Sequence, residues 1–175
     1  MKLTSAMETF VLHWGEMGTK WGINRSVAQI HALLYVTPKA LHAEEICEIL
    51  GLARSNVSTS LKELQTWRIV RVVHVMGDRR DHFESIADVW EIFRVIMEER
   101  KRREIDPTLS MLRECLDEAA KGGASEKHTK ERLGAMHDFI QTMTTSYEDF
   151  NKMPTSALKR MVKSGSKIMK LIGGR

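Results

Sequence analysis

Gly51 separates two helix-patterned segments, and the chain read on from them to residue 85 leaves few folds open. Ala43-Glu44-Glu45-Ile46-Cys47-Glu48-Ile49-Leu50 reads as a short helix, with Ile46, Leu50 and Leu52 as its apolar anchors. Gly51 ends it, because glycine accepts the left-handed backbone that a sharp stop requires. Ala53 to Trp67 reads as a longer helix whose Val57, Leu61 and Leu64 recur at core spacing. Val70 to Ser85 then gives two alternating strands around Gly77-Asp78-Arg79-Arg80-Asp81. The order predicts a helix-turn-helix followed by a basic hairpin wing.

The longer helix presents Arg54, Ser55, Asn56, Ser58, Thr59 and Lys62 away from its apolar stripe. An ordinary solvated helix more often shows Glu/Lys pairs at four-residue spacing. Short donors and acceptors with two cations instead suit the base edges and phosphates of a DNA major groove. In the hairpin, Val70, Val72 and the pair Val73/Val75 carry strand propensity, broken by Arg71 and His74. Arg79 and Arg80 sit at the tip, where arginine fits a narrow minor groove. Asp78 or Asp81 is placed to brace one of them by a charge-assisted hydrogen bond. Alone, such a hairpin reads equally as a solvated surface loop; its position behind the polar helix favours the DNA reading.

Amphipathic helices flank this unit. In the first, Leu3, Met7, Phe10, Trp14, Met17 and Trp21 form a heptad seam, with Gly15 and Gly18 inside it. Interior glycine costs about 1 kcal/mol against alanine, which a close helix crossing would explain, with a frayed helix end as the plainer account. A second helix is expected over about Ser26 to Tyr35, capped by Ser26 with Gln29 or else by Asn24, and ended by Thr37-Pro38. Leu41 reads as a short strand paired with the wing, with His42 at the next helix boundary. After the wing, one helix runs from Asp88 to about Arg103. Asp106-Pro107 predicts a fresh start, with aspartate as cap and proline in the first turn. That helix stops at Gly122-Gly123. A long helix follows, seamed by Leu133, Met136, Ile140, Met143, Tyr147 and Phe150. Pro154 opens the last, with Leu158, Met161, Ile168 and Ile172 on one face.

Helices this amphipathic need each other or a second chain. The expected fold is mostly α with a small β-wing: residues 1–22 as an N-terminal dimerisation helix, 23–87 as the winged helix-turn-helix, and 88–175 as a helical linker with C-terminal dimerisation helices. A homodimer on a pseudo-palindromic double-stranded DNA operator follows from two such units. A monomer whose end helices fold back on the winged unit is the alternative.

The chain resembles the MarR superfamily, and within it the GbsR-type regulators, over about residues 5–95. The likeness rests on Gly51-Leu52-Ala53-Arg54-Ser55-Asn56-Val57-Ser58, on Leu61-Lys62-Glu63-Leu64-Gln65-Thr66-Trp67, and on Val70-Arg71-Val72-Val73-His74-Val75. The wing Gly77-Asp78-Arg79-Arg80-Asp81-His82-Phe83-Glu84 and Leu33-Leu34-Tyr35 before Pro38 add to it. The resemblance implies a dimeric DNA-binding transcription factor, usually a repressor released by a ligand. It implies recognition-helix roles for Ser55, Asn56, Ser58, Thr59 and Lys62, and a wing pattern on Asp78 and Arg80. Some GbsR-type proteins respond to choline or related compounds. Two positions depart from the pattern. Ala53 stands where a Ser or Thr cap is expected, so that Ser55 can cap instead and move the helix start by two residues. His42 likewise replaces a hydroxyl residue.

Trp14, Trp21, Tyr35, Trp67 and Trp90 are candidates for an aromatic pocket holding a quaternary ammonium effector by cation–π attraction, although they lie at core-type positions and plain packing is the favoured account of them. His74 and His82 are expected to face one another across the hairpin, with phosphate contact or plain exposure favoured over a metal. No cofactor is expected. The 175 residues, 42% apolar and 29% charged with net charge +4, describe a chain with a core and a mild basic excess. Residues 151–175 carry Lys152, Lys159, Arg160, Lys163, Lys167, Lys170 and Arg175 and no acid, a tail that touches phosphate or merely solubilises a helix. No secretory leader or membrane span is read, and Cys47 and Cys115 lack metal spacing, which fits a reducing cytoplasm. No phosphate-cradling glycine loop, HExxH or CxxC appears, so no enzyme is expected. A winged-helix interaction scaffold without specific DNA binding is the competing reading.

Overall fold

The computed structural model describes the backbone of residues 2–172, and the side chains of these residues other than 124, 125 and 166–172. Arg175 and the side chains of Lys167, Ile168, Lys170 and Ile172, on which the expected basic tail and the face of the last helix partly rest, lie outside the described residues. The chain divides into two compact units, Met1–Ile96 and Met97–Arg175.

In the first unit, helix α1 (Ser5–Lys20) is capped by Thr4, whose hydroxyl accepts from the Met7 N–H at 3.3 Å. Its fully buried face is Val11, Gly15 and Gly18, not the heptad seam, whose Phe10 and Trp14 are half-buried and Trp21 exposed. The smallest residues mark the closest approach, here to helix α2 (Arg25–Val36). A Cβ on Gly18 would lie 2.5 Å from the Ala28 Cβ, and one on Gly15 2.5 Å from the Gln29 Cγ. The glycines thus permit the close crossing. Asn24, not Ser26, caps α2, accepting from the Ser26 N–H at 2.8 Å. The helix is buried almost all round, with Ile30 and Leu33 wholly enclosed.

Strand β1 (Leu41–His42) leads into helix α3 (Ala43–Leu50). His42 caps α3 in a reciprocal box: its Nδ1 faces the Glu45 N–H at 3.3 Å, and its own N–H donates to the Glu45 carboxylate at 3.2 Å. Gly51 follows at φ +64°. Helix α4 (Arg54–Thr66) starts directly after Ala53, which offers no side-chain cap. Ser55 therefore lies inside the first turn and does not shift the start. Strands β2 (Val70–Val73) and β3 (His82–Ser85) pair antiparallel, and the sheet order is β1-β3-β2. Leu41 pairs with Phe83 and His42 with His82, so the short strand does join the wing. The expected His74–His82 pair is not formed: β2 ends at Val73, which pairs with His82. The Asp78 N–H already closes a turn onto the Val75 carbonyl at 3.0 Å, which takes His74 off the ladder. The core gathers Leu33, Leu41, Ile46, Val57, Leu64 and Ile69 beneath this sheet and the helices.

Helix α5 (Val89–Arg100) continues through a π-helical turn, Lys101–Ile105, into helix α6 (Asp106–Lys121). The expected fresh start at Asp106 is absent. Ile105 and Asp106 both keep right-handed helical angles, and the Asp106 carboxylate accepts from Lys101 Nζ at 2.9 Å instead of capping backbone. In the second unit α6 buries Leu109, Leu112 and Ala119. After the turn at Gly123–Glu126 comes helix α7 (Lys127–Lys152), joined to α6 by the Arg113–Gln141 hydrogen bond of 3.0 Å. Helix α8 (Thr155–Ile172) follows Pro154. Along α7 only Thr144 is fully buried, while Met136, Phe139, Met143 and Phe150 are exposed. Among the described residues no helix is long and apolar enough to cross a membrane.

Candidate nucleic-acid interface

The polar face of α4 is built by what its other face buries. Val57, Ser60, Leu61 and Leu64 pack inward, which turns Arg54, Ser55, Ser58, Thr59 and Lys62 outward. Asn56 departs from the expected set. Its Nδ2 donates to the Ser26 hydroxyl at 2.9 Å, and its Oδ1 accepts from the Ser60 hydroxyl at 3.4 Å. It ties α4 to α2 rather than facing out.

Between α3, α4 and the wing lies a groove of about 330 Å³. Arg54, Ser58 and Lys62 enter it from α4, Glu44 from α3, and Arg80 and Asp81 from the hairpin. Three of the cations are held by the protein's own carboxylates. Arg54 pairs with Glu44, Arg71 with Glu84 across the strands at 2.6 Å, and Arg80 with Asp78, Nε to Oδ1, at 2.9 Å. Asp78 also accepts from the Arg80 backbone N–H at 3.0 Å, so it fixes both the turn and the guanidinium. The hydrogen bond from Arg54 holds the Glu44 carboxyl down at about 2, and Arg80 holds that of Asp78 well below the usual carboxylate range. Lys62 and Arg79 carry no ion pair among the described residues and are free to meet an anion. Arg71 lies on the sheet outside the groove lining.

The sequence reading missed Glu44, whose only local role is that of an acid in a helix's first turn; ten residues separate it from Arg54. It also missed that His42 and His82 share a register position, with ring centroids 5.5 Å apart and planes at 90°.

The five aromatics do not converge. Trp14, Trp21 and Trp67 line one cleft with Gly18 and His31, but its volume is about 20 Å³. That is room for a single water. Tyr35 borders a separate cleft by Glu84 and Ser85, and Trp90 lines neither. Among the described residues, no group of three or more His, Cys, Asp or Glu is placed to hold a metal. Both thiols are free and half-buried.

A helix-turn-helix whose second helix shares a basic groove with a hairpin defines a winged helix-turn-helix protein. Residues 21–81, which run from the end of α1 to the wing tip, match the model of the MarR family. A crystal structure of a transcriptional regulator superposes on 90% of this chain and 99% of its own, with a TM-score of 0.55 and 23% identity. That likeness is one of fold. A mutant of S. aureus MepR bound to an oligodeoxyribonucleotide covers 95% of this chain and 90% of its own at 12% identity, with a TM-score of 0.37, too slight to carry weight. No curated protein matches the chain. The family match and the fold together support a transcriptional regulator.

Proposed function

We propose that this chain is a sequence-specific DNA-binding regulator of the GbsR-type branch, acting in the cytoplasm as a homodimeric repressor that a small molecule releases. The reading rests on one observation above others: the groove that α4 and the wing share, lined by Arg54, Ser58, Lys62 and Arg80. Ser55, Ser58 and Thr59 meet base edges in the major groove, Lys62 and Arg79 hold phosphate, and Arg80 enters the minor groove from its Asp78 brace. Arg54 and Arg71 add charge once their carboxylates release them. Asn56 acts as a positioning residue.

Arg80→Ala is expected to weaken duplex binding about tenfold and to reduce the salt slope by about 1. Fluorescence anisotropy across a salt series reads both, and an unchanged slope removes the wing from the interface. Residues 1–22 and 88–175 supply the dimer contacts in this reading. Its support is the apolar row on α7, where Phe139 is 66% and Met143 57% exposed. Replacing both by glutamate is expected to turn a dimer into a monomer in sedimentation. A wild-type chain that sediments as a monomer at every concentration rules the homodimer out.

The scaffold reading draws on the three arginines that already hold internal carboxylates. Failure to bind any duplex at low salt would favour it.

A further inference from the structure

Two histidines stand behind the two arginines that line the groove. His42 and His82 are both buried, face each other edge to plane, and belong to neighbouring strands. Each approaches the carboxylate that holds one arginine. His42 Nδ1 is 2.9 Å from Glu44 Oε2, and Glu44 holds Arg54. His82 Nε2 is 3.6 Å from Asp78 Oδ2, and Asp78 holds Arg80. The result is two chains of histidine, carboxylate and arginine that meet at the imidazoles.

The hydrogen bonds decide where a proton goes. His82 Nδ1 lies 3.0 Å from the Arg80 carbonyl oxygen, which only accepts, so Nδ1 carries the hydrogen of the neutral ring. Nε2 then turns a lone pair toward the Asp78 carboxylate. That contact is tolerated while Arg80 neutralises Asp78. His42 faces a similar conflict. Its Nδ1 cannot both donate to Glu44 and accept from the Glu45 N–H. A protonated His42 donates from Nδ1 to Glu44 and points Nε2–H at Glu45, 3.6 Å away, and in doing so gives up the bond from the Glu45 N–H. The other charges around the pair are committed: Lys39 to Glu45 at 2.9 Å, and Glu84 to Arg71 at 2.6 Å. Lys39, Arg54 and Arg80 balance Glu44, Glu45 and Asp78, and Lys62 and Asp81, which also line the groove, carry opposite charges, so a proton on the pair adds one positive charge to a balanced set.

We propose that DNA binding by this chain is coupled to the uptake of about one proton by the His42–His82 pair, chiefly on His82, which then becomes the partner of Asp78 when DNA draws Arg80 away. The inference rests on the DNA-binding reading. Without the exchange, each departing arginine leaves a bare carboxylate beside a polyanion. With it, the imidazolium becomes the partner of one of the two carboxylates, Asp78 first. Two adjacent imidazolium rings repel, which limits the pair to about one proton. The direction follows: association gains a proton, so affinity rises as pH falls.

The test is anisotropy with a fluorescent duplex of mixed sequence, at low and constant ionic strength, at about pH 8 and about pH 6. Wild-type protein is expected to bind about tenfold more tightly at the lower pH. His82→Gln keeps a donor for the Arg80 carbonyl and is expected to lose most of that gain while retaining the affinity seen at the higher pH. His42→Gln is expected to lose part of it; because His42 also caps α3, circular dichroism must first show each variant folded. His74→Gln, an exposed histidine in the same hairpin, is expected to keep the full gain. Wild-type binding with the same affinity at both pH values overturns the proposal and leaves DNA binding standing. Loss of the gain in His74→Gln and its retention in His82→Gln overturns it equally. No binding at either pH overturns the DNA reading and this inference with it.

Discussion

Gly18→Val is expected to lower the free energy of unfolding by about 3 kcal/mol, the upper end for overpacking a tight contact. The new Cβ would meet the Ala28 Cβ at 2.5 Å, and Ala28 is fixed to the buried helix α2 with nowhere to turn. Either the crossing opens, and Val11 and Val27 lose part of their burial, or the backbone shifts. Gly15→Ala makes the useful contrast. Its Cβ meets the side chain of Gln29, which is half-buried and can rotate away. Alanine also gains about 1 kcal/mol of helix propensity over glycine, so Gly15→Ala is expected to come out near neutral. Chemical denaturation of the two variants reads the difference. Equal midpoints for Gly18→Val and wild type would show that α1 and α2 do not cross this closely.

Acid is expected to remove about 3 kcal/mol of stability between about pH 6.5 and pH 4 through one residue, His31. The side chain is 5% exposed on α2, and burial pushes its pKa down from 6.5 to about 4. The ring is therefore neutral at pH 7. Ser85 donates its hydroxyl hydrogen to the Ile86 carbonyl at 3.1 Å, so His31 Nε2–H donates to the Ser85 oxygen at 3.2 Å. Below the unfolded value the unfolded chain takes up a proton that the folded chain refuses. Stability is thus fully present above about pH 6.5, falls as pH drops, and levels off once the folded-state pKa is passed. Urea titrations at a series of pH values measure the fall. In His31→Gln this part of it should vanish, whatever the variant's stability at neutral pH. A wild-type profile flat across that window would mean that His31 is solvated.

The features that were legible in the sequence are those carried by neighbours along the chain. Gly51 at φ +64° and the apolar stripe of Val57, Leu61 and Leu64 are products of backbone preference and helical period, both of which act within about four residues. Leu41 could be assigned to the wing because an isolated strand needs a partner and only one hairpin offered an edge. The glycines in α1 pointed to a close approach only as one of two readings, since a frayed helix end accounts for them as well; the contact with Ala28 decides between the two. The Asp78 brace on Arg80 spans two residues and follows from turn geometry. Local signals also misled. Asp106-Pro107 has the chemistry of a helix start, but the preceding π turn carries the chain through it. The heptad in α1 weighted large side chains, whereas the tightest packing selects the smallest.

By itself the sequence determined the elements of the first unit, their order and the polar character of α4. What only the tertiary structure decided is which side chains meet. Asn56 reaches Ser26 across thirty positions, Arg54 reaches Glu44 across ten, and His31 reaches Ser85 across fifty-four. None of these pairings leaves a trace in periodicity, because each depends on the distance and register between elements rather than on either element's pattern. Register also put His42, not His74, opposite His82, and a one-residue difference in where a turn closes is enough to change such a partner.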